Sequence, residues 1–310
     1  MSNLNNKIKS YYKIFGFKET IKKIIRYIIF KSKVDKKGIY HFSCSEKKHI
    51  IFEDNLNKVN KKKYNKKICI VILNYNNKNV IFKCINSLIK YKGNYEYEIV
   101  VVDNGSTDGS YEIIKKKYKN IKLYRNSKNG CSSGRNLGYS KTRKEYILFL
   151  DSDQYALSKD WIDSFLRVAE YKDDNFGAIG WTAGWFNKKG YAFHTVDNFE
   201  FRYMPPGAMA RSDIGYLGGG GMFIKKAVLE EIKGFDVKYD PTSYEDTDVS
   251  LKVRNAGKEL YYCPYLDVFH DAHQTTSIIF EKDKNLVNEN ANYFVKKWKQ
   301  KNGKLLKYKK

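Results

Sequence analysis

Two apolar stretches run directly into acids: Val102-Asp103 closes one, and Leu150-Asp151-Ser152-Asp153 closes the other. A carboxylate pair with one residue between, straight after Tyr146-Ile-Leu-Phe-Leu, can hold a hard divalent cation and a donor's ribose or phosphates. Mg2+ and Mn2+ take oxygen ligands and keep substrate phosphate oxygens in their shell. The competing explanation is a helix cap ahead of Trp161, but a solvated cap does not need two acids after so apolar a run. Asp103-Asn-Gly-Ser-Thr-Asp108 allows two readings: a carboxylate accepting from a uracil or thymine N–H, or only a tight turn.

Three further clusters carry chemistry. Asn129-Gly-Cys-Ser-Ser-Gly-Arg135-Asn-Leu-Gly138 leads into a helix whose first amides favour an anion, and Arg135 adds a bidentate clamp for a phosphate. The stretch is neither G-x-G-x-x-G nor a P-loop. In Ser243-Tyr-Glu245-Asp246-Thr-Asp248, Ser243 and Asp246 match a capping box. Three acids in four residues exceed what one cap requires. The helix dipole keeps such acids ionised, as a base accepting a hydroxyl proton must be. Phe269-His270-Asp-Ala-His273 ends a strand-like run, where a neutral imidazole completes a metal shell or plays an ordinary structural part.

These groups need a scaffold, and the apolar pattern supplies one. Strands are expected at 68–73, 98–103, 121–124 and 146–151, with helices at 80–89, 110–118, 132–142 and 161–170. This alternation predicts a mostly parallel sheet flanked by helices, with right-handed crossovers. The ligand crevice then lies beyond the carboxyl ends of the strands, where both strand-end acids project. Residues 181–224 are rich in aromatics and glycine, and their strands resist placement. Helices resume at 225–232 and 244–256, with short strands at 259–269.

The net charge is +24, but it is not spread evenly. Residues 1–66 hold 18 lysines and arginines against 5 acids, and residues 296–310 hold 8 lysines and no acid, so the middle carries only +3. A near-neutral centre without an RNA-binding motif argues against a nucleic-acid-binding protein that would use the 26 tyrosines as a stacking surface. Ile14, Phe17, Ile21, Ile24 and Ile28 form a helical stripe flanked by lysines. It fits either a helix lying on an anionic membrane or one packed on the main domain. No leader with an apolar run of about 7–15 residues and a small-residue cleavage site is expected, nor a span of about 20 apolar residues. Cys44, Cys69, Cys84, Cys131 and Cys263 show no C-x-x-C pairing and read as reduced thiols of a cytoplasmic protein.

Four blocks occur in order: Val71-Ile-Leu-Asn-Tyr-Asn76, then Val101-Val-Asp-Asn-Gly-Ser-Thr-Asp108, then Asn129–Gly138 leading to Phe149-Leu-Asp-Ser-Asp153. The last runs from Gly218-Gly-Gly-Gly-Met222 through Gly234-Phe-Asp236 to Glu245-Asp246. In these blocks the chain resembles the inverting family 2 glycosyltransferases, and within them a rhamnosyltransferase-like bacterial group. The resemblance covers about residues 67–275. It implies an A-type glycosyltransferase fold, α/β and Rossmann-like. The chain then divides into a basic helical N-terminal appendage and linker over 1–66, a catalytic domain over 67–275, and a C-terminal helix with a basic tail over 276–310.

The resemblance also implies roles. Asp103 reads the donor base, Asn74 and Gly219 belong to the donor site, Arg135 touches the phosphates and Asp151 lies beside the ribose or sugar. Asp153 and His270 ligate Mn2+ or Mg2+, Asp246 is the general base, and Glu245 steers the acceptor. The Gly218–Gly221 run lets backbone lie close against sugar or acceptor. Gln154 stands where many relatives carry a third acid, which touches only a minor part of the metal shell. The reaction implied is a single displacement from a UDP- or dTDP-sugar to a hydroxyl of a surface polysaccharide or lipid-linked glycan, at the inner membrane face. A protein acceptor such as flagellin is the alternative. The acids at 151, 153 and 246 argue against a non-catalytic nucleotide-sugar-binding relative.

Overall fold

The structure is a computed structural model and describes residues 47–299 except 94, 188, 198–202, 206 and 272–284. The stripe expected over 7–33, Cys44, His273 and the basic tail beyond 299 lie outside the described residues.

The chain enters at β1 (Ile50–Phe52) and a short α1 (Lys61–Tyr64). It then alternates through β2 (Ile68–Asn74), α2 (Lys78–Lys90), β3 (Glu98–Asp103), α3 (Ser110–Lys117), β4 (Lys122–Arg125), α4 (Cys131–Ser140) and β5 (Tyr146–Asp151). Every residue of β2 is buried, as suits a β-branched run covered on both faces. Its side chains alternate between two cores: Ile68, Ile70 and Ile72 pack with Ile81, Ile85 and Leu88 of α2, whereas Cys69, Val71 and Leu73 face the other layer. Gly138 lets α4 lie on that second face, since a Cβ there would come 2.3 Å from Val71 Cγ1.

Beyond β5 come β6 (Gln154–Ala156), α5 (Asp163–Tyr171), β7 (Phe176–Gly180), β8 (Ala183–Phe186), β9 (Ala192–Val196), β10 (Ala208–Arg211), β11 (Tyr216–Leu217) and β12 (Phe223–Lys225). The chain continues through α6 (Lys226–Glu231), α7 (Glu245–Asn255), β13 (Glu259–Tyr262), β14 (Val268–His270) and α8 (Leu286–Trp298). The main sheet runs β1-β10-β13-β7-β12-β5-β2-β3-β4. Its β5-β2-β3-β4 side is parallel, with Leu73 beside Asp151 and Asn74 beside Asp103.

Two expectations change here. The sheet is mixed rather than mostly parallel. β12 lies antiparallel between β5 and β7, and β10 is antiparallel to both β1 and β13. Among the described residues β12 follows strands β8–β11 with no α-helix between β7 and β12, so nothing obliges it to run parallel. In addition, Ile50–Phe52 falls within the stretch read as an appendage, yet it pairs with β10 as the sheet's edge and buries Ile50 and Ile51. Among the described residues no helix is long and apolar enough to cross a membrane.

Candidate active site

The parallel strands deliver their last residues to one edge. Order reverses at β2, which has β3 on one side and β5 on the other, so Asn74, Asp103 and Asp151 come together at a crevice of the kind that binds ligands in open α/β sheets. Asn74 and Asp103 are wholly buried there. The Asn74 amide donates to Asp103 Oδ2 at 3.0 Å and to Ser110 Oγ at 2.9 Å. Asp103 Oδ1 accepts the N–H groups of Gly105 and Ser106. The turn reading of Asp103 is thus realised: its carboxylate organises the 104–108 loop from beneath.

Asp151 and Asp153 flank the bend between β5 and β6. The β6–β14 ladder sets His270 opposite Gln154, which carries the imidazole to the same place. Asp151, Asp153 and His270 each offer a ligand atom, all within 4.8 Å of one another. Asp153 Oδ1 is buried and, among the described residues, has no hydrogen-bond partner; His270 Nε2 stands 3.6 Å away. Burial, then the neighbouring Asp151 charge, pushes the Asp153 carboxyl well above the usual aspartate range. Burial works against charge on His270, but Asp197 and then Asp153 outweigh it and raise the imidazole to about 9. A site that crowds two acids and draws a proton onto a histidine has room for a positive charge. These donors fit a divalent cation.

Glu245 and Asp246 open α7. Arg135, only 3% exposed, reaches from α4 to pair with Glu245 Oε1 at 2.8 Å and Asp151 Oδ1 at 3.3 Å. Its guanidinium also lies 5.7 Å from the centre of the Phe235 ring. Arg135 thereby ties the end of β5 to the start of α7. Glu245 is raised by burial and by Asp246, with Arg135 pulling the other way. Asp246 is also raised, chiefly by burial. Asp246 accepts the Gly219 N–H at 2.9 Å and the Thr247 N–H at 2.6 Å.

Two local readings are corrected. The capping box does not form: Ser243 and Tyr244 sit at φ of 81° and 70°, and Tyr244 is the N-cap with no side-chain bond. That left-handed entry turns Asp246 toward Gly219 instead of back along the chain. The anion site expected at the start of α4 is filled by the protein's own Asp240, which accepts from Ser132 and Ser133 N–H. The glycine run makes room for the site's own side chains. A Cβ on Gly219 would lie 2.6 Å from Arg135 Nη2, and one on Gly220 would lie 2.1 Å from Asp151 Oδ2. The third acid of the cluster, Asp248, is fully buried and accepts from Trp298 Nε1 at 2.7 Å, so it anchors α8.

A family model for glycosyl transferase family 2 matches residues 69–233, more than half of the chain. The chain belongs to glycosyl transferase family 2. A curated relative of this family 2 chain, poly(ribitol-phosphate) beta-glucosyltransferase of Bacillus spizizenii, is 34% identical over 174 residues, covering 54% of this chain and 26% of that protein. The chain spans about a quarter or less of the length of the first curated relatives it matches. Among solved structures, GalNAc-T7 with UDP, GalNAc and Mn2+ is similar at a TM-score of 0.53 and 17% identity, over 66% of this chain and 44% of that one. A mannosyltransferase from Pyrobaculum calidifontis with GDP-Man and Mn2+ is similar at a TM-score of 0.51 and 16% identity, over 71% and 61%. These two likenesses bear on the fold, which is A-type.

Two residues of this family 2 site escape sequence reasoning. Asp197 Oδ2 accepts from His270 Nδ1 across 3.0 Å. It follows β9 just as Asp103 and Asp151 end β3 and β5, so a strand-end acid was the available signal. Asp240 caps α4 from 108 residues away and leaves no local trace.

Proposed function

We propose that this chain transfers a sugar, with inversion, from a nucleoside-diphosphate sugar to a hydroxyl of a cell-surface polymer or lipid-linked glycan. The observation that carries it is one continuous cluster of side chains. Asp151, Asp153 and His270 stand on one side, Asp246 on the other, and Arg135 ties Asp151 to Glu245 between them.

In this reading the acceptor hydroxyl gives its proton to Asp246 as its oxygen attacks the anomeric carbon. Burial raises that carboxyl and improves it as a base. Each carboxylate oxygen has two lone pairs, so the bonds from Gly219 and Thr247 orient Asp246 and leave it able to accept. Glu245, held by Arg135, lines the acceptor side. Asp153 and His270, with Asp151, would hold Mn2+ or Mg2+. Such an ion would neutralise the departing diphosphate. Asp103 and Asn74 shape the loop against which the donor base rests, and Gly219 carries the backbone that contacts Asp246. The Bacillus spizizenii relative is named for poly(ribitol-phosphate), which supports a polyhydroxyl polymer as acceptor. The motif blocks favour a rhamnosyltransferase-like subgroup, whereas that relative is named for glucose.

Incubation with UDP- and dTDP-sugars, either cation and a polyol-phosphate polymer tests the reading. Product of inverted anomeric configuration is expected from one donor, with chelator abolishing it. Full transfer in excess chelator, or no nucleoside diphosphate released from any donor, would sink it.

A further inference from the structure

His270 is held from both sides. Nδ1 lies 3.0 Å from Asp197 Oδ2, while Nε2 lies 3.6 Å from Asp153 Oδ1 and faces the acid pair. To hold a cation the imidazole must be neutral, with one N–H and one lone pair, and a carboxylate only accepts. If the proton sat on Nε2, the Nδ1 lone pair would point at the Asp197 carboxylate and repel it. With the proton on Nδ1, the bond to Asp197 forms and the Nε2 lone pair is aimed between Asp151 and Asp153. A carboxylate behind a metal-binding histidine fixes its tautomer and ring orientation in this way.

Asp197 is itself fixed by groups distant in sequence. Thr182 Oγ1 donates to Asp197 Oδ1 at 2.9 Å, and the Tyr262 hydroxyl donates to the Asp197 carbonyl at 3.0 Å. The Thr182 carbonyl accepts the Gly218 N–H at 2.9 Å. A polar path therefore runs from the glycine run through Thr182 and Asp197 to His270. It connects the small β11-β8-β9 sheet to the acid pair at the end of β5.

We propose that Asp197 is a positioning residue of the cation site: it sets the tautomer and orientation of His270, and Thr182 holds it in place. This rests on the cation reading above. The test uses the full chain: free Mn2+ is followed by its paramagnetic resonance, and the His270 tautomer by 15N NMR of the imidazole with diamagnetic Mg2+ in place of Mn2+.

His270→Ala sets the loss when the ligand is gone. Asp197→Ala is expected to weaken Mn2+ binding by about 10–100-fold and to release the tautomer preference. Asp197→Asn keeps an acceptor oxygen and should lose much less, while keeping the proton on Nδ1. Thr182→Val leaves the carboxylate but frees it to turn, so a smaller loss than in Asp197→Ala is expected. If wild type and His270→Ala take up Mn2+ equally, the cation reading fails, and this inference with it. If His270→Ala weakens binding but Asp197→Ala and Thr182→Val match wild type, the Asp197 role alone is overturned. The role is likewise overturned if the Nδ1–H tautomer persists in Asp197→Ala. Should Asp197→Ala fail to fold, Thr182→Val and the tautomer in Asp197→Asn decide the matter.

Discussion

Glu245 and Asp246 are adjacent, yet their environments divide their work. Glu245 is tied to Arg135, while Asp246 holds two backbone N–H groups and is half-buried. In its proposed role as base, Asp246 would act mainly in the transition state. Asp246→Asn should therefore cut turnover by about 10²–10⁴-fold while donor affinity changes only a few-fold. Asn must turn an NH2 toward one of the two N–H donors, which costs about 1–3 kcal/mol of stability. Calorimetric donor titration and transfer rates on the same folded sample check both numbers; near-wild-type turnover would shift the role to Glu245. Gly220 offers a second test at this scale. A Cβ 2.1 Å from Asp151 Oδ2 forces that carboxylate aside. Gly220→Ala should lower cation-dependent transfer on the order of 10²-fold. The melting temperature should change little by comparison, and a variant as active as wild type would show that Asp151 has freedom to move.

At the scale of elements, α8 shows how α7, which carries Glu245 and Asp246, is kept in place. Lys297 pairs with Asp236 at 2.8 Å and with Asp248 of α7 at 2.8 Å, and Tyr293 donates to Asp236 at 2.9 Å. Burial alone would raise Asp236, but bonds from Lys297, the Lys238 N–H and Tyr293 outweigh it and hold the carboxyl below the ordinary 3.8. A folded-state value below the unfolded one stabilises the fold above about 3.8, and that contribution is lost as pH falls through the folded value. Acid should thus loosen α8 from the turn at Asp236. Urea midpoints at about pH 7 and about pH 3 should converge between wild type and Asp236→Asn on the acid side. A gap that persists unchanged in acid would mean that Asp236 contributes through its shape and not its charge.

For the whole molecule, the charge distribution and the sheet tell different stories. The central domain is nearly balanced, and the lysine excess lies in the two ends. The sequence at 14–28 sets apolar residues at helical spacing among lysines, the two features that would hold a surface helix to anionic lipid. Deleting residues 1–33 should weaken co-sedimentation with anionic vesicles and leave donor hydrolysis largely intact. Unchanged co-sedimentation would favour the packed-helix reading. The sheet is indifferent to this charge: its eight strand pairings bury apolar side chains on both faces, and β1 adds residues 50–52 to its edge.

What the sequence determined was local and periodic. Apolar runs of strand length and a helical spacing of buried residues placed β2, β3 and β5 and their helices to within a residue or two, because each element carries its pattern in consecutive residues. Asp103, Asp151 and Asp153 were legible for the same reason, since strand ends in an α/β sheet share one edge. Tertiary structure alone decided the partners. Arg135 meets Glu245 across 110 positions, His270 meets Asp197 across 73, and Asp240 occupies the helix start that an anion would otherwise seek. A lone arginine or aspartate reads the same whether it will be solvated, paired or capping. The left-handed backbone at Ser243 and Tyr244, which no glycine announces, turned a capping motif into a residue facing the crevice.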